Sequence, residues 1–479
     1  MRHASRPAQR ADRGREAGTR KRSWLRSVGL GLVVALVALP LLGLAYVRLA
    51  PPQLLVLGSA FAAKTVCTNV NYAGRDAERT LLTDVQEQGH PLLHLIHAEV
   101  EEGGTTRASF PLGIASVSAA PRGRRGCQLH ADGAISPPRG DAASGPAAGV
   151  DEGGAGDAGD PPSEALPVAL DPAIQAILAD TALTGPGFRA AIVWRDGRIV
   201  GERYGEGFDA STRLIGWSMA KTVTAALVGA AIEEGLMALD DDALVPEWSD
   251  GRRTIRLVDL LAMQGGLEWN EDYGDLSDVT RMLYLEPDAA RFVMDKPLEA
   301  APGTVFEYST GTSVLLARLL GEAVEAGGGS RSAFAREALF GPLGMVSAFF
   351  EADAAGNDLG GSLLWATPRD FIGFARFLLD GGRAPDGRRL VPEGYAQWMM
   401  QPTEASDGVY ANGQMWRVGP GGERAGLPAD TVWMRGHDGQ SIALVPSKGL
   451  AVLRMGMTPV ETGYRPQPLV RAVLGAGAS

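Results

Sequence analysis

Cysteine, histidine and lysine are scarce in this chain, and each scarcity narrows what it can do. Among 479 residues there are two cysteines, Cys67 and Cys127, six histidines and five lysines. Two isolated cysteines do not make a metal site. His90, His94 and His97 cluster, but the residues between them read as a strand, which scatters the imidazoles over two faces. They are read as surface histidines, and no metal or organic cofactor is expected. An overall basic charge is missing too. The formal net charge is −11, and the basic residues crowd the N-terminus, so the acidic remainder argues against a nucleic-acid partner. Neither internal repeats nor regular βαβ alternation occurs, which speaks against a doubly wound parallel sheet.

What is present divides the chain into segments. Residues 1–27 are a basic tail without expected structure, holding Arg2, Arg6, Arg10, Arg13, Arg15, Arg20, Lys21, Arg22 and Arg26. Residues 28–50 are almost wholly apolar, with one charge, Arg48, and one proline, Pro40. As a helix they would span about 34 Å, against a bilayer core of about 30 Å. Arginines before the stretch orient the N-terminus toward the cytoplasm, placing the rest in the periplasm or outside the cell. The triplet Ala60-Phe61-Ala62 resembles a signal-peptide cleavage site but lies far beyond the apolar stretch, so an uncleaved anchor is expected.

Residues 51–134 form a small α+β module. A helix is expected over Asp76–Glu87, with strands over Pro91–Glu101 and Thr106–Ala119. Both cysteines lie here, outside the cytoplasm in this topology. A Cys67–Cys127 disulfide would close a loop of roughly sixty residues, worth about 4 kcal/mol in the chain-entropy account. Residues 135–165, rich in Gly, Pro, Ala and Asp, read as a flexible linker.

Residues 166–479 are the main domain. A short helix from Pro172 precedes strands Gly187–Arg195 and Arg198–Tyr204, turned at Asp196-Gly197. Further strands are expected over Thr431–Met434, Ser441–Pro446 and Leu450–Met457, with a last helix over Pro468–Leu474. The expected fold is α+β: an antiparallel sheet assembled from both ends of the domain, flanked by helices, with a helical subdomain inserted between.

Ser218 and Lys221 carry the chemistry. Val223, Leu227, Ala230, Ala231 and Leu236 recur at helical spacing, so Ser218 falls at the start of a helix with Lys221 one turn on. A serine hydroxyl is a poor nucleophile until a base takes its proton. Lysine among apolar neighbours (Met219, Ala220, Val223, Ala225) loses its proton more readily, because burial disfavours the ammonium. A solvated helix start is the bland alternative, yet Met-Ala-Lys-Thr-Val-Thr-Ala-Ala-Leu-Val is too apolar for one. Tyr308, in Pro302-Gly303-Thr304-Val305-Phe306-Glu307-Tyr308-Ser309-Thr310-Gly311, is a candidate proton carrier whose phenol a nearby ammonium would pull below its ordinary value. His437, in Arg435-Gly436-His437-Asp438-Gly439-Gln440, is the one histidine of the main domain. The glycines there would let a substrate approach the strand edge, with a backbone N–H aimed at an oxyanion.

Together these stretches resemble the serine β-lactamase and penicillin-binding-protein family, in particular its class C, esterase and 6-aminohexanoate-dimer-hydrolase-like branch, over about Pro172–Leu474. Ser218-Met219-Ala220-Lys221 is similar to the family's Ser-x-x-Lys, which implies Ser218 as the acylated nucleophile and Lys221 as its base. Tyr308-Ser309-Thr310 resembles Tyr-x-Asn and implies Tyr308 as a proton shuttle. His437-Asp438-Gly439 stands where the family has Lys-Thr-Gly, implying the N–H groups of Gln440 and Ser218 as the oxyanion hole, with Gly439 and His437 lining the substrate. Met263-Gln264-Gly265-Gly266-Leu267-Glu268-Trp269 and Gly361–Asp370 also resemble this branch, and by that likeness Tyr273 touches substrate. Thr310 and His437 replace an asparagine and a lysine that contact β-lactams, which shifts the expectation from antibiotic to another ester or amide.

The expectation is therefore a membrane-anchored serine hydrolase acting on a small ester or amide. One alternative is an α/β-hydrolase triad of Ser218, an acid such as Asp430, and His437. Ala220 stands where that elbow wants glycine, and the strand order disagrees. The other is a non-catalytic cell-envelope binding protein.

Overall fold

The computed structural model describes residues 13–87, 89–130 and 166–476. The expected linker, residues 135–165, lies outside them. Helix α1 runs from Arg13 to Leu49, so the basic segment from Arg13 onward is helical and continuous with the apolar stretch. Its apolar side chains are left bare: Leu30, Leu36, Leu39 and Leu42 are each at least 65% exposed. No single helix among the described residues is long and apolar enough to cross a membrane. Val34–Leu49 and Gln53–Ala73 pass that test together, bent by 53° at the break. The second of these, α2 (Gln53–Ala73), is no lipid-facing helix, because Val56, Ala60, Ala63, Val66 and Cys67 are buried in protein. Its small and apolar residues are buried nearly all round, which erases the one-sided stripe that betrays a surface helix. Ala60-Phe61-Ala62 thus lies mid-helix in a core.

The module packs α2 against a four-stranded antiparallel sheet of β1 (His97–Val100), β2 (Thr106–Phe110), β3 (Ile114–Pro121) and β4 (Cys127–His130). Two expected strands are shorter than the sequence pattern suggested. Pro91 opens a 3-10 turn over Pro91–Leu95, so the first strand begins only at His97. The expected Thr106–Ala119 strand folds back as a hairpin at Pro111-Leu112-Gly113, where proline removes a ladder donor and Leu112 takes a φ of +63°. Asp76 caps the expected 76–87 helix, which continues to Gln86. Cys67 and Cys127 form a disulfide that ties α2 to β4.

The main domain begins with α3 (Pro172–Ala179) and the hairpin β5 (Phe188–Arg195) and β6 (Arg198–Tyr204). Then comes α4 (Met219–Glu233), the long helix of the inserted region α5 (Thr310–Ala326), and α6 (Pro368–Leu379). Strands β7 (Tyr410–Ala411), β8 (Met415–Trp416), β9 (Val432–Arg435), β10 (Ser441–Val445) and β11 (Leu450–Gly456) follow, and α7 (Gln467–Gly475) ends the chain. They make a seven-stranded antiparallel sheet ordered β7-β8-β9-β10-β11-β5-β6, so the N-terminal hairpin joins the C-terminal strands as expected. One face of the sheet is covered by α3 and α7, the other by α6 and the nucleophile-bearing α4.

The module is docked on this domain by buried charge. Asp84 pairs with Arg75 of the module at 2.5 Å and with Arg189 on β5, all at most 8% exposed. Lys64 on α2 pairs with Glu351 at 2.8 Å and donates to the Cys127 carbonyl at 2.6 Å. Lys64, Asn69 and Asp84 share a small cavity with Ile215, Trp217 and Met457, so the module reaches the wall directly behind Ser218. The two guanidiniums hold the Asp84 carboxyl far below the usual range, despite its burial. Asp84→Ala would leave both guanidiniums buried and unpaired. It is expected to cost at least about 3 kcal/mol in urea unfolding monitored by tryptophan fluorescence, and an unchanged midpoint would refute the clamp.

Candidate active site

Ser218 occupies the N-cap position of α4, and Trp217 before it takes a φ of +47°. A left-handed tryptophan is costly and persists only where packing enforces it. Here Trp217 is 5% exposed and lies edge-on to His437 at 5.7 Å. Two glycines allow the surrounding chain to close in. A Cβ on Gly216 would meet the Phe371 ring at 2.7 Å, and one on Gly436 would meet the Gly216 carbonyl at 2.3 Å. The end of β9 is thereby held against the turn that carries the nucleophile.

Lys221 is fully buried, one turn into α4. Its Nζ lies 2.9 Å from Ser218 Oγ, 2.7 Å from Thr310 Oγ1 and 2.7 Å from the Gly361 carbonyl. Thr310 donates its own hydroxyl proton to Glu271, so its oxygen is left to accept from the amine. The Gly361 carbonyl can only accept. Both N–H groups of a neutral lysine are thus taken, and the lone pair is left for the Ser218 hydroxyl. Burial pushes the Lys221 amine down to about 8, against the upward pull of the Glu271 carboxylate.

Glu271 went unnoticed in the sequence. It accepts from the Thr310 N–H at 2.9 Å and from the Trp269 indole at 2.6 Å. Nothing in the chain separates it from neighbouring Glu268, Asp272 or Asp275; only folding reveals which acid faces inward.

Tyr308 stands over the same pair. Lys221 Nζ lies 4.8 Å from the centre of its ring, and the nearby Ser218 side chain favours the ionised phenol. The expected acidification of the phenol does not occur. Burial and the Glu271 charge raise it well above its ordinary value, while contact with Ser218 opposes them only in part. Tyr308 therefore stays protonated at neutral pH.

His437 stacks on Tyr273 at 4.9 Å and 25°, and its Nε2 lies 3.4 Å from Asp438. Asp430 is engaged elsewhere, accepting from the Ser447 N–H at 2.6 Å. No hydrogen bond joins His437 to Ser218 among the described residues, and Asp430 is not its partner, so the Ser218–Asp430–His437 triad does not form. Tyr273 also meets Thr310 through its hydroxyl at 3.4 Å, which places it on the cleft wall.

Gln440 differs from expectation. Its N–H turns inward onto the His437 carbonyl at 3.4 Å, and its amide is locked to Gly456. Gly439, with φ +83°, makes that turn possible. Gly436 N–H bonds to Gln440, so by strand alternation the N–H of His437 faces the opposite, open edge of β9. Strand β8 pairs with β9 only at Trp416–Trp433, which leaves this edge free beside Ser218. Among the described residues, neither the Ser218 nor the His437 N–H has a recorded partner. The described residues also contain no group of three or more candidate metal ligands.

A general base that must be neutral gives a clear sign for pH dependence. Ester kcat/KM is expected to rise with pH through an apparent pKa near 8. Glu271→Gln removes the charge that favours the ammonium and should move this limb to lower pH. A limb that stays put or moves upward would show that Glu271 does not act on Lys221.

The sequence profile of the family described as Beta-lactamase matches residues 180–472. A search of curated proteins finds no match. Among solved structures, a protein provisionally named 6-aminohexanoate-dimer hydrolase from Bacillus anthracis superposes with a TM-score of 0.55 at 19% identity, covering 66% of this chain and 87% of its own. A provisionally named β-lactamase from Bacteroides dorei DSM 17855 gives 0.51 at 21% identity, covering 63% and 96%. At such identities these likenesses establish the fold.

Proposed function

The chain belongs to the Beta-lactamase family of serine hydrolases, and on that footing we propose that it cleaves a small ester or amide through an acyl-enzyme on Ser218. The observation that supports this most is the buried Lys221 amine, with both its donors engaged and its lone pair on the Ser218 hydroxyl. Ser218 Oγ attacks the carbonyl as its proton passes to Lys221. The backbone N–H groups of Ser218 and His437 receive the oxyanion, and such donors are each worth about 3 kcal/mol. Protonated Tyr308, whose ring lies beside the Lys221 amine, hands its proton to the leaving group and is restored from Lys221. Water then enters and releases the acyl group by the same route in reverse.

Membrane attachment is part of the proposal. The apolar flank of α1 is left uncovered by the described residues, and the basic residues before it favour a cytoplasmic N-terminus. The catalytic domain and the disulfide-bearing module then lie in the periplasm or outside the cell.

With p-nitrophenyl butyrate as substrate, Ser218→Ala is expected to abolish turnover. Lys221→Met should lower kcat/KM by about 10³ or more and Tyr308→Phe by about 10²–10⁴. His437→Ala should cost less than about tenfold, since its ring is no base. The reverse order of the lysine and histidine variants would sink the mechanism. Deleting residues 1–50 should convert a protein that needs detergent for extraction into one that does not, and a deletion variant that still sediments with membranes would remove the anchor.

A further inference from the structure

Leu112, at the tip of the hairpin between β2 and β3, is 65% exposed among the described residues. It also takes a φ of +63°, a conformation that glycine adopts freely and leucine does not. A large apolar side chain placed there costs backbone energy and gains little burial in protein. Leu95 is 50% exposed. His97 pairs with Ser109 where β1 meets β2, so Leu95, two residues before that pair, lies at the same end of the sheet as the tip.

That end of the module is tied to α1. Arg48, in the last turn of α1 and the one charge of residues 28–50, donates to the Leu112 carbonyl, and a Cβ on Gly113 would lie 3.8 Å from its guanidinium. Helix α2 runs along the sheet away from this junction. A Cβ on Gly58, near its start, would meet Leu93, Ile96 and Phe110, whereas Asn71, near its end, donates to the Gly104 carbonyl at 2.9 Å. From Gly58 to Asn71 is about 20 Å of helix. Charge follows the same direction. Neither residues 91–96 nor residues 109–118 hold an Asp, Glu, Lys or Arg, while Glu101 and Glu102 stand at the far end. Tyr46, 70% exposed, and Arg48 are residue types that settle where acyl chains give way to headgroups.

We propose that this end of the module is a second membrane contact, in which Leu112 and Leu95 enter the headgroup boundary of the bilayer that holds α1. The inference rests on the anchor reading above and adds a contact that residues 1–50 do not make. Lipid gives the two leucines the burial that protein does not, and no carboxylate of either segment has to be desolvated for them to enter. Two attachments, helix and hairpin tip, then fix the module against the bilayer where a lone helix would let it pivot.

Cys67 and Cys127 are joined, so a cysteine introduced by substitution is the one free thiol for a fluorophore. Full-length Leu112→Cys, Leu95→Cys, Leu36→Cys and Glu102→Cys are labelled, placed in phosphatidylcholine vesicles, and quenched with lipids bearing a nitroxide either near the top of the acyl chain or deep within it. The shallow nitroxide is expected to quench the Leu112 and Leu95 labels at least about threefold more than the Glu102 label. The deep one should quench the Leu36 label, which reports the anchor alone. Quenching at Leu36 with no excess at Leu112 and Leu95 over Glu102 overturns the proposal and leaves the anchor standing. So does a Leu112 label shielded from iodide in water yet untouched by either lipid, since a protein partner or a second copy then covers the tip. A Leu36 label that neither lipid quenches refutes the anchor reading, and the tip contact falls with it. Should Leu112→Cys fail to fold, the Leu95 label decides by the same comparison.

Discussion

Desolvation of one amine organises this site. An amine with three neutral oxygens around it would stay an ammonium in water, but Lys221 is fully buried and its pKa falls to about 8. Much of the surrounding architecture is what such burial requires. Helix α4 must be apolar on all sides, which Met219, Ala220, Val223 and Ala226 supply. The Gly361 carbonyl must come within reach, and Gly361 cannot be larger, since a Cβ there would meet the Thr310 carbonyl at 2.5 Å. Glu271 keeps the amine from losing its proton too readily. Base strength is set by the opposition of burial and that one carboxylate.

Substitution of threonine for an amide at position 310 has a structural meaning in this light. Asparagine would offer Lys221 a carbonyl and present an N–H pair to the cleft. Threonine offers an oxygen but passes its proton back to Glu271, so the chain Glu271–Thr310–Lys221–Ser218 is continuous and closed to substrate. Under the proposed function, recognition then falls to other residues along the cleft, such as Tyr273 and His437.

The parts of this architecture legible in the sequence were those with a period or a motif. The hairpin Phe188–Tyr204 alternates and turns at Asp196-Gly197, and it lies where that pattern put it. The Ser218 helix was equally plain, since apolar residues recur through α4. Helix α2 was not, because a helix buried all round has no stripe to find. Long-range electrostatics were invisible as well. Glu271 and Arg189 look like any other surface charges until folding brings them to Thr310 and Asp84. The same holds for the oxyanion edge: whether Gln440 or His437 points outward depends on hairpin register, which a motif does not encode.

The docked module changes what the N-terminal helix does. Only Ala50, Pro51 and Pro52 separate α1 from α2, and α2 is fixed through Lys64 and Glu351 to the domain that holds the nucleophile. Once α1 is embedded in lipid as proposed, the cleft is carried at a set height and tilt above the bilayer, with no free-swinging tether. Such an enzyme works a thin layer at the membrane face and meets molecules that dwell there more often than those dissolved throughout the compartment.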